Sequence, residues 1–186
     1  MRHGRTTLLI LMAAVGLIGC GGGSGDGGVT DPGPTVSANF LPVDTSPPQS
    51  SVALQKGPAS GNLITVRVDV TGVSNVYGAA FELSFDGTLA EYVGFTRGSF
   101  LEQGGHTPTY QVSSPAPGLV VVGVTRNGAV AGVGTSGSMP IVNLTFRVLK
   151  AGTGAVDLPD TVLYDAQIQP QPVTGIGWLS GSLQGI

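Results

Sequence analysis

Three stretches of the chain alternate between apolar and polar residues with a period of two: Leu63–Val70, Gly78–Phe85 and Pro140–Leu149. This period is typical of half-buried strands in an antiparallel sheet, because successive side chains point to opposite faces. The alternation predicts a core made of the inward-facing side chains. That set is Ile64, Val66, Val68, Phe81, Leu83, Phe85, Val142, Leu144, Phe146 and Val148.

Shorter apolar segments between turn residues predict further short strands over residues 35–186, and the pattern contains no long amphipathic helix. Arg97–His106 is expected to be a loop and Ala129–Ser138 a glycine-rich flap. Eight to ten strands predict an all-β fold, a two-sheet β-sandwich of jelly-roll topology with about nine strands. The candidate segments for the other strands are Val36–Val43, Ser51–Gln55, Glu91–Thr96, Thr109–Ser113, Leu119–Thr125, Gly154–Leu158, Val162–Tyr164 and Gly177–Leu183.

The first part of the chain has the pattern of a targeting segment. Arg2 and Arg5 precede an apolar run, Leu8–Ile18, which is shorter than the roughly 20 residues of a spanning helix. Leu17–Cys20 then resembles the lipobox of bacterial lipoproteins. The resemblance implies that residues 1–19 are a signal peptide and that Cys20 is lipidated. The alternative is an ordinary secretory signal followed by a chance cysteine.

Residues 20–34 follow as a linker rich in glycine and proline, and residues 35–186 form the domain. A glycine-rich coil is flexible, and the Pro residues near its end stiffen it, so the linker would hold the domain off a membrane. We expect a lipid-anchored protein of the cell envelope. Gly21 follows the cysteine where an aspartate would resemble an inner-membrane retention signal, which favours the outer membrane, facing either side.

Composition excludes several classes of function. Only 10% of the residues are charged and the formal net charge is -3, so no basic stripe exists for nucleic acid. Behind Cys20 the chain has one histidine, His106, and no further cysteine, which excludes His/Cys metal centres and Cys–His catalysis. The acidic residues fit turns and polar strand faces better than catalysis or calcium binding. We therefore expect no enzyme activity, no metal and no cofactor.

The domain resembles a known family in four sequence segments that occur in the same order: Ile64–Val73, Gly78–Phe95, Ile141–Val148 and Trp178–Leu183. Together they resemble the cohesin domain, whose superfamily includes the family 2 and family 3 carbohydrate-binding modules. The resemblance implies a nine-stranded jelly roll that binds a dockerin module and performs no chemistry. It thus predicts a membrane-anchored, extracytoplasmic module for protein attachment, with a role in polysaccharide degradation.

The chain departs from the family pattern at positions that matter for binding. Phe85-Asp86-Gly87 stands where the family usually has Tyr-Asp-Pro. Gly78 and Ala80 stand where cellulosomal cohesins place polar and acidic residues that hydrogen-bond the dockerin, and Arg126 stands near the place of another acidic residue. The resemblance therefore implies a dockerin-like partner that diverges from the cellulosomal type.

Alternation and the family resemblance together predict the partner-binding face. If Phe81 and Leu83 are buried, the alternate residues of Gly78–Phe85 face solvent. The resemblance implies a register of Leu119–Thr125 that turns Val121 outward as well, so the two strands would form a flat surface of small residues with an apolar spot at Val121. Such a surface suits a helix better than a small molecule, although it could also be merely solvated. The expected face comprises Ala80, Glu82, Ser84, Leu119, Val121, Gly123, Thr125 and Arg126.

Two alternatives stay open. A carbohydrate-binding module would need exposed aromatic side chains to stack on sugar rings. The candidates are Tyr77, Tyr92, Tyr110 and Trp178, for which packing at edges and interfaces is the favoured interpretation. The chain could instead be a structural subunit of a cell-surface assembly that uses its sheet faces or edges.

Overall fold

The alternating segments form strands in a computed structural model, which describes residues 35–186. The signal peptide, Cys20 and the linker lie outside the described residues. A single short 3-10 turn, Gln103–Gly105, is the only helical element of the described part. The strands are β1 (Ala38–Pro42), β2 (Ser51–Ser60), β3 (Leu63–Phe85), β4 (Ala90–Arg97), β5 (Thr109–Ala116), β6 (Leu119–Thr125), β7 (Val133–Val148), β8 (Gly152–Asp157), β9 (Thr161–Asp165), β10 (Gly177–Leu179) and β11 (Gly181–Gly185).

One strand belongs to both layers of the sandwich. The two alternating segments expected as separate strands are the two halves of β3, which runs for 23 residues. Between them the backbone bends at Gly72 and Asn75, which have φ angles of 60° and 56°. Such left-handed angles are cheap for glycine and tolerated by asparagine, so these positions can turn the strand without breaking it.

The first layer is built on the first half of β3. This half pairs antiparallel with β2 on one side and with β7 on the other. β4 continues the layer beyond β7, and β10 adds a parallel strand beyond β2. The order of strands is therefore β4-β7-β3-β2-β10.

The second layer is built on the second half of β3. Here β6 pairs on one side and β5 continues beyond it. On the other side β8 and β9 pair in turn with successive parts of β3. β11 and β1 extend this layer beyond β8. The predicted all-β sandwich is confirmed, with eleven strands in the described residues rather than about nine.

The core lies between the two layers. Nine of the ten side chains predicted for it are buried, and the tenth, Phe85, is half-buried against Phe146 with 5.1 Å between ring centroids. Phe100 and Leu101 are also fully buried, although the pattern predicts a loop there. They close one end of the core from the segment between β4 and β5, because a sandwich has open ends that only loops can fill.

The outward side of the first layer carries a loop. Asp69 lies there with only 2% of its side chain exposed and accepts a hydrogen bond of 2.6 Å from the Arg67 guanidinium. Burial raises the pKa of the Asp69 carboxyl despite this neighbour. The segment 44–50 lies beside Asp69, since Gln55 donates to the Asp44 carbonyl and Gln49 to that of Ser136. The chain itself therefore covers this part of the layer.

The strand pattern also differs from expectation in the glycine-rich segment. Ala129–Ser138 was expected to be a flap, but its second part is the start of β7, where Thr135 and Ser138 pair with the middle of β3. The bend in β3 leaves an unpaired strand edge at this point. The glycine-rich chain pairs with it through backbone hydrogen bonds, which need no side-chain pattern.

Phe146→Ala should lower the free energy of unfolding by about 3–5 kcal/mol, because the ring is fully buried and packs against two other aromatic rings. Urea denaturation of residues 35–186 measures this loss. Phe95→Ala is the matched control and should cost clearly less, since this ring is 38% exposed and stacks on Tyr110 at the surface. Equal losses would show that the core is placed wrongly.

Candidate partner-binding face

The second half of β3 and all of β6 form a surface of small residues. Their register places Ala80 beside Gly123, Glu82 beside Val121 and Ser84 beside Leu119. The intervening residues, Phe81 and Val122, are buried in the core. Seven of the eight residues expected on the binding face are thus on the outward side of these strands, and Arg126 is the exception.

Two neighbouring strands widen this surface. β5 adds Thr109, Gln111 and Ser113, which are exposed and lie beside the outward residues of β6. β9 adds Val162 and Tyr164, which lie beside Ala80 and Gly78. We call this surface the β3–β6 face. It comprises Gly78, Ala80, Glu82, Ser84, Thr109, Gln111, Ser113, Leu119, Val121, Gly123, Thr125, Val162 and Tyr164.

The sequence predicts a flat surface, but the structure shows that the surface is not flat. An open depression of about 470 Å³ lies at one end of it, where Gly78 and Gly123 lack side chains. Tyr164 and Pro170 form one wall, and Gln111 lies on the other side. Of the ten residues that line this Gly78–Gly123 depression none is charged, so its chemistry is that of an uncharged, mainly apolar recess.

The loop beside the depression is held in place by one carboxylate. Asp165 accepts hydrogen bonds from the backbone N–H groups of Gln167 and Gln171, and these bonds lower its pKa. The loop carries Pro170 into the wall of the depression and presents Ile168 fully exposed. Asp165 therefore acts as a turn residue, in line with the expectation that the acidic residues serve turns and polar strand faces.

The end of the surface opposite the depression is acidic. Glu82 lies on the β3–β6 face, and its backbone N–H donates a 2.8 Å hydrogen bond to the Asp160 carbonyl. Asp157 pairs with Ser84, the next outward residue of β3. Asp157 and Asp160 are both exposed. We call Glu82, Asp157 and Asp160 the acidic corner.

Arg126 does not border this surface, so that expectation is wrong. The side chain is only 4% exposed, and its Nη1 donates hydrogen bonds of 2.8 Å and 3.1 Å to the carbonyls of Leu101 and Gln103. These carbonyls belong to the segment that closes the end of the core, where they need donors. No residue of the β3–β6 face is therefore basic.

The four candidate stacking aromatics are all half-buried and are used within the domain. Tyr77 donates a hydrogen bond to the Gly128 carbonyl, and Tyr110 donates to the carbonyls of Gly98 and Ile141. Tyr92 packs against Phe146, and Trp178 packs against Phe81. These contacts favour the packing interpretation, although Tyr77 also lines the depression.

Sequence reasoning missed the contributions of β5, β8 and β9. Thr109, Gln111 and Ser113 alternate with half-buried residues, so the phase of this strand could have been read from the sequence. Asp157, Asp160 and Tyr164 gave no such indication. Their position depends on which strands pair with the free edge of β3. This pairing joins residues far apart in the sequence, so local patterns do not reveal it.

Residues 35–186 contain no group of three or more His, Cys, Asp or Glu side chains arranged to hold a metal ion. The same residues include no helix of the length and apolarity required to span a bilayer.

Comparison with known proteins identifies the family. The model of the cohesin domain matches residues 48–173. The chain belongs to the cohesin family. Cohesin domains are non-catalytic protein–protein interaction modules, so the expectation of no enzyme activity is confirmed at the level of the family. A comparison with curated proteins found no match.

Solved cohesin structures share the fold at low sequence identity. A type II cohesin dyad from the adaptor ScaA scaffoldin of Acetivibrio cellulolyticus has a TM-score of 0.59 and 13% identity, and the match covers 74% of this chain. The chain spans 49% of that dyad. A non-cellulosomal cohesin from Archaeoglobus fulgidus has a TM-score of 0.50 and 20% identity over 78% of this chain and 88% of its own.

A third similar structure contains a partner. It is the third cohesin ScaC of A. cellulolyticus in complex with the ScaB dockerin, whose C-terminal helix carries a mutation. The TM-score is 0.53, the identity is 15%, and the match covers 66% of this chain and 88% of that one. At these identities the likeness shows the fold of our cohesin and leaves its partner to be inferred from its own surface.

Arg126→Ala should destabilise this cohesin by about 1.5–3 kcal/mol for each hydrogen bond from the guanidinium, because the carbonyls of Leu101 and Gln103 lose a charged donor. Thermal or urea unfolding measures the loss. Arg97→Ala is the control, since Arg97 is exposed and lies over the Tyr110 ring without a buried carbonyl partner. If both variants are equally stable, the buried position of Arg126 is incorrect.

Proposed function

We propose that this cohesin is a lipid-anchored module of the bacterial cell envelope that attaches a dockerin-like protein partner through the β3–β6 face. The observation that carries the proposal is the geometry of that face. It is a broad surface of small residues, backed by a fully packed core, with an apolar side chain, Val121, near its centre.

The choice of this face rests on its small outward residues and on the absence of a covering segment. On the outward side of the first layer, the segment 44–50 lies beside Asp69 and hydrogen-bonds to Gln55 and Ser136. The β3–β6 face has no such cover among residues 35–186. Small outward residues let a helix approach the sheet closely, because the helix supplies the side chains that fill the space.

The partner class is inferred from the family and from one neighbour. The cohesin ScaC structure contains a dockerin, a module that includes a helix. In our cohesin the cellulosomal pattern of polar residues is replaced by Gly78 and Ala80. The partner should therefore be a dockerin-like module that relies less on hydrogen bonds from β3 and more on close packing.

Anchoring is inferred from the sequence, since Cys20 lies outside the described residues. The lipobox-like Leu17–Cys20 and the glycine-rich linker that follows would place the domain at a membrane, within reach of a partner. Two or more acyl chains are enough for stable anchoring. The absence of an aspartate after the cysteine favours the outer membrane, and attachment of polysaccharide-degrading proteins is the role that fits the family.

Val121→Asp should abolish dockerin binding while leaving the fold intact, because the residue faces outward beside Glu82 and would add a second carboxylate to the contact. The measurement is isothermal titration of residues 35–186 with each purified dockerin module encoded by the same genome. We expect at least about a 30-fold loss of affinity, the size of a binding hot spot.

The matched control is Val93→Asp, the same change at an exposed position of β4 in the other layer. It should leave dockerin affinity unchanged. If no dockerin binds the wild-type domain, or if Val93→Asp rather than Val121→Asp removes binding, the proposed attachment through the β3–β6 face is wrong.

Cys20→Ala should prevent lipidation and release the protein from membranes or leave the precursor uncut, because the sulfur that carries the lipid is missing. Expression of the full chain, followed by membrane fractionation and mass spectrometry of the N-terminal peptide, measures this. Ser24→Ala in the same linker is the control and should remain anchored. A wild-type protein that carries no lipid and fractionates as soluble would contradict the anchor.

A further inference from the structure

The β3–β6 face has two chemically distinct ends. The Gly78–Gly123 depression at one end is lined by ten residues, none of them charged. The acidic corner at the other end holds Glu82, Asp157 and Asp160. From Gly78 to Glu82 is four residues of one strand, which corresponds to about 13 Å at the rise of a β-strand.

The negative charge at the acidic corner has no neutralising group on the same face. Arg126 is the basic residue nearest to this face in the sequence, and it is turned inward to the carbonyls of Leu101 and Gln103. Neither of the two salt bridges in the described residues, Arg67–Asp69 and Arg147–Glu91, involves the acidic corner. A surface with three carboxylates and no cation favours a positively charged partner through electrostatic complementarity.

We propose that the partner of the β3–β6 face is a helix that places a large aliphatic side chain in the Gly78–Gly123 depression and a Lys or Arg side chain against the acidic corner. This inference rests on the proposed function and adds the chemistry of the partner. A helix rises 1.5 Å per residue, so the two side chains lie about eight or nine residues apart if the helix follows the strands.

The depression can be filled without damage to the fold. A Cβ atom added at Gly123 would have its nearest neighbour at 3.9 Å, the Gln111 carbonyl oxygen, which is an ordinary contact. A Cβ atom at Gly78 would lie 2.9 Å from the Val124 carbonyl oxygen and would strain the sheet. Gly123 is therefore the position at which a larger side chain can occupy the recess and compete with the partner.

The matched control for filling the depression is Gly137 in β7. An added Cβ atom there has no neighbour within 4 Å, and the residue is exposed on the other layer. The matched control for charge is Glu91, which is exposed on β4 and pairs with Arg147. An exposed pair of this kind contributes little to stability, so Glu91→Gln should leave the fold unchanged.

The test uses a phage-displayed library of single helices on a fixed scaffold, with the exposed positions randomised, selected on immobilised residues 35–186. Helices enriched on the wild-type domain should carry a large aliphatic residue and, about two turns away, Lys or Arg. Gly123→Leu should reduce their binding by about tenfold or more, whereas Gly137→Leu should not. Glu82→Gln should weaken binding and its dependence on salt, whereas Glu91→Gln should change neither.

Enriched helices that are acidic or uncharged, or that bind Gly123→Leu as well as the wild type, would overturn the inference. The same holds if no helix is enriched. The outcome is separate from that of the dockerin titration: selected helices of the expected chemistry without any dockerin binder would refute dockerin attachment and keep the inference. A dockerin whose binding is lost in Val121→Asp but retained in Gly123→Leu and Glu82→Gln would support dockerin attachment and refute the inference.

Discussion

The structure depends on a single strand that hydrogen-bonds in both layers of the sandwich. β3 provides the central pairing of the first layer with β2 and β7 and then, after a bend at Gly72 and Asn75, that of the second layer with β6, β8 and β9. Because the strand is continuous, the alternation of its side chains fixes which residues of both layers face the core. A residue inserted in either half would turn a whole row of apolar side chains toward solvent.

This constraint also creates the candidate site. With Phe81 and Leu83 held in the core, Gly78, Ala80 and Glu82 must face outward, and the register with β6 adds Gly123 and Val121 to the same side. Gly78 and Gly123 leave a recess that a larger side chain at position 123 would fill. The binding properties of the surface therefore follow from the same alternation that packs the core.

The sequence predicted the parts of the molecule that local periodicity determines. The inward phase of β3 and β7 and the outward position of Ala80 could be read from alternation alone, whereas the outward position of Val121 followed from the family resemblance. The continuity of β3 could not be read in this way, because Thr71–Tyr77 contains a glycine and an asparagine that resemble a turn. Pairing with the distant strands β2, β7 and β9 keeps this segment extended. Arg126 was misplaced for a related reason: its direction is set by the carbonyls of a distant segment that closes the core.

The most direct measurement of the central claim is NMR chemical-shift mapping of residues 35–186 on titration with a dockerin module that binds. Our account predicts that the largest shifts occur in the second half of β3, in β6 and in β9, around Ala80, Val121 and Val162. Residues of β2, β4 and the first half of β3 should remain unchanged. Shifts centred on the first layer, with the β3–β6 face unaffected, would contradict the account.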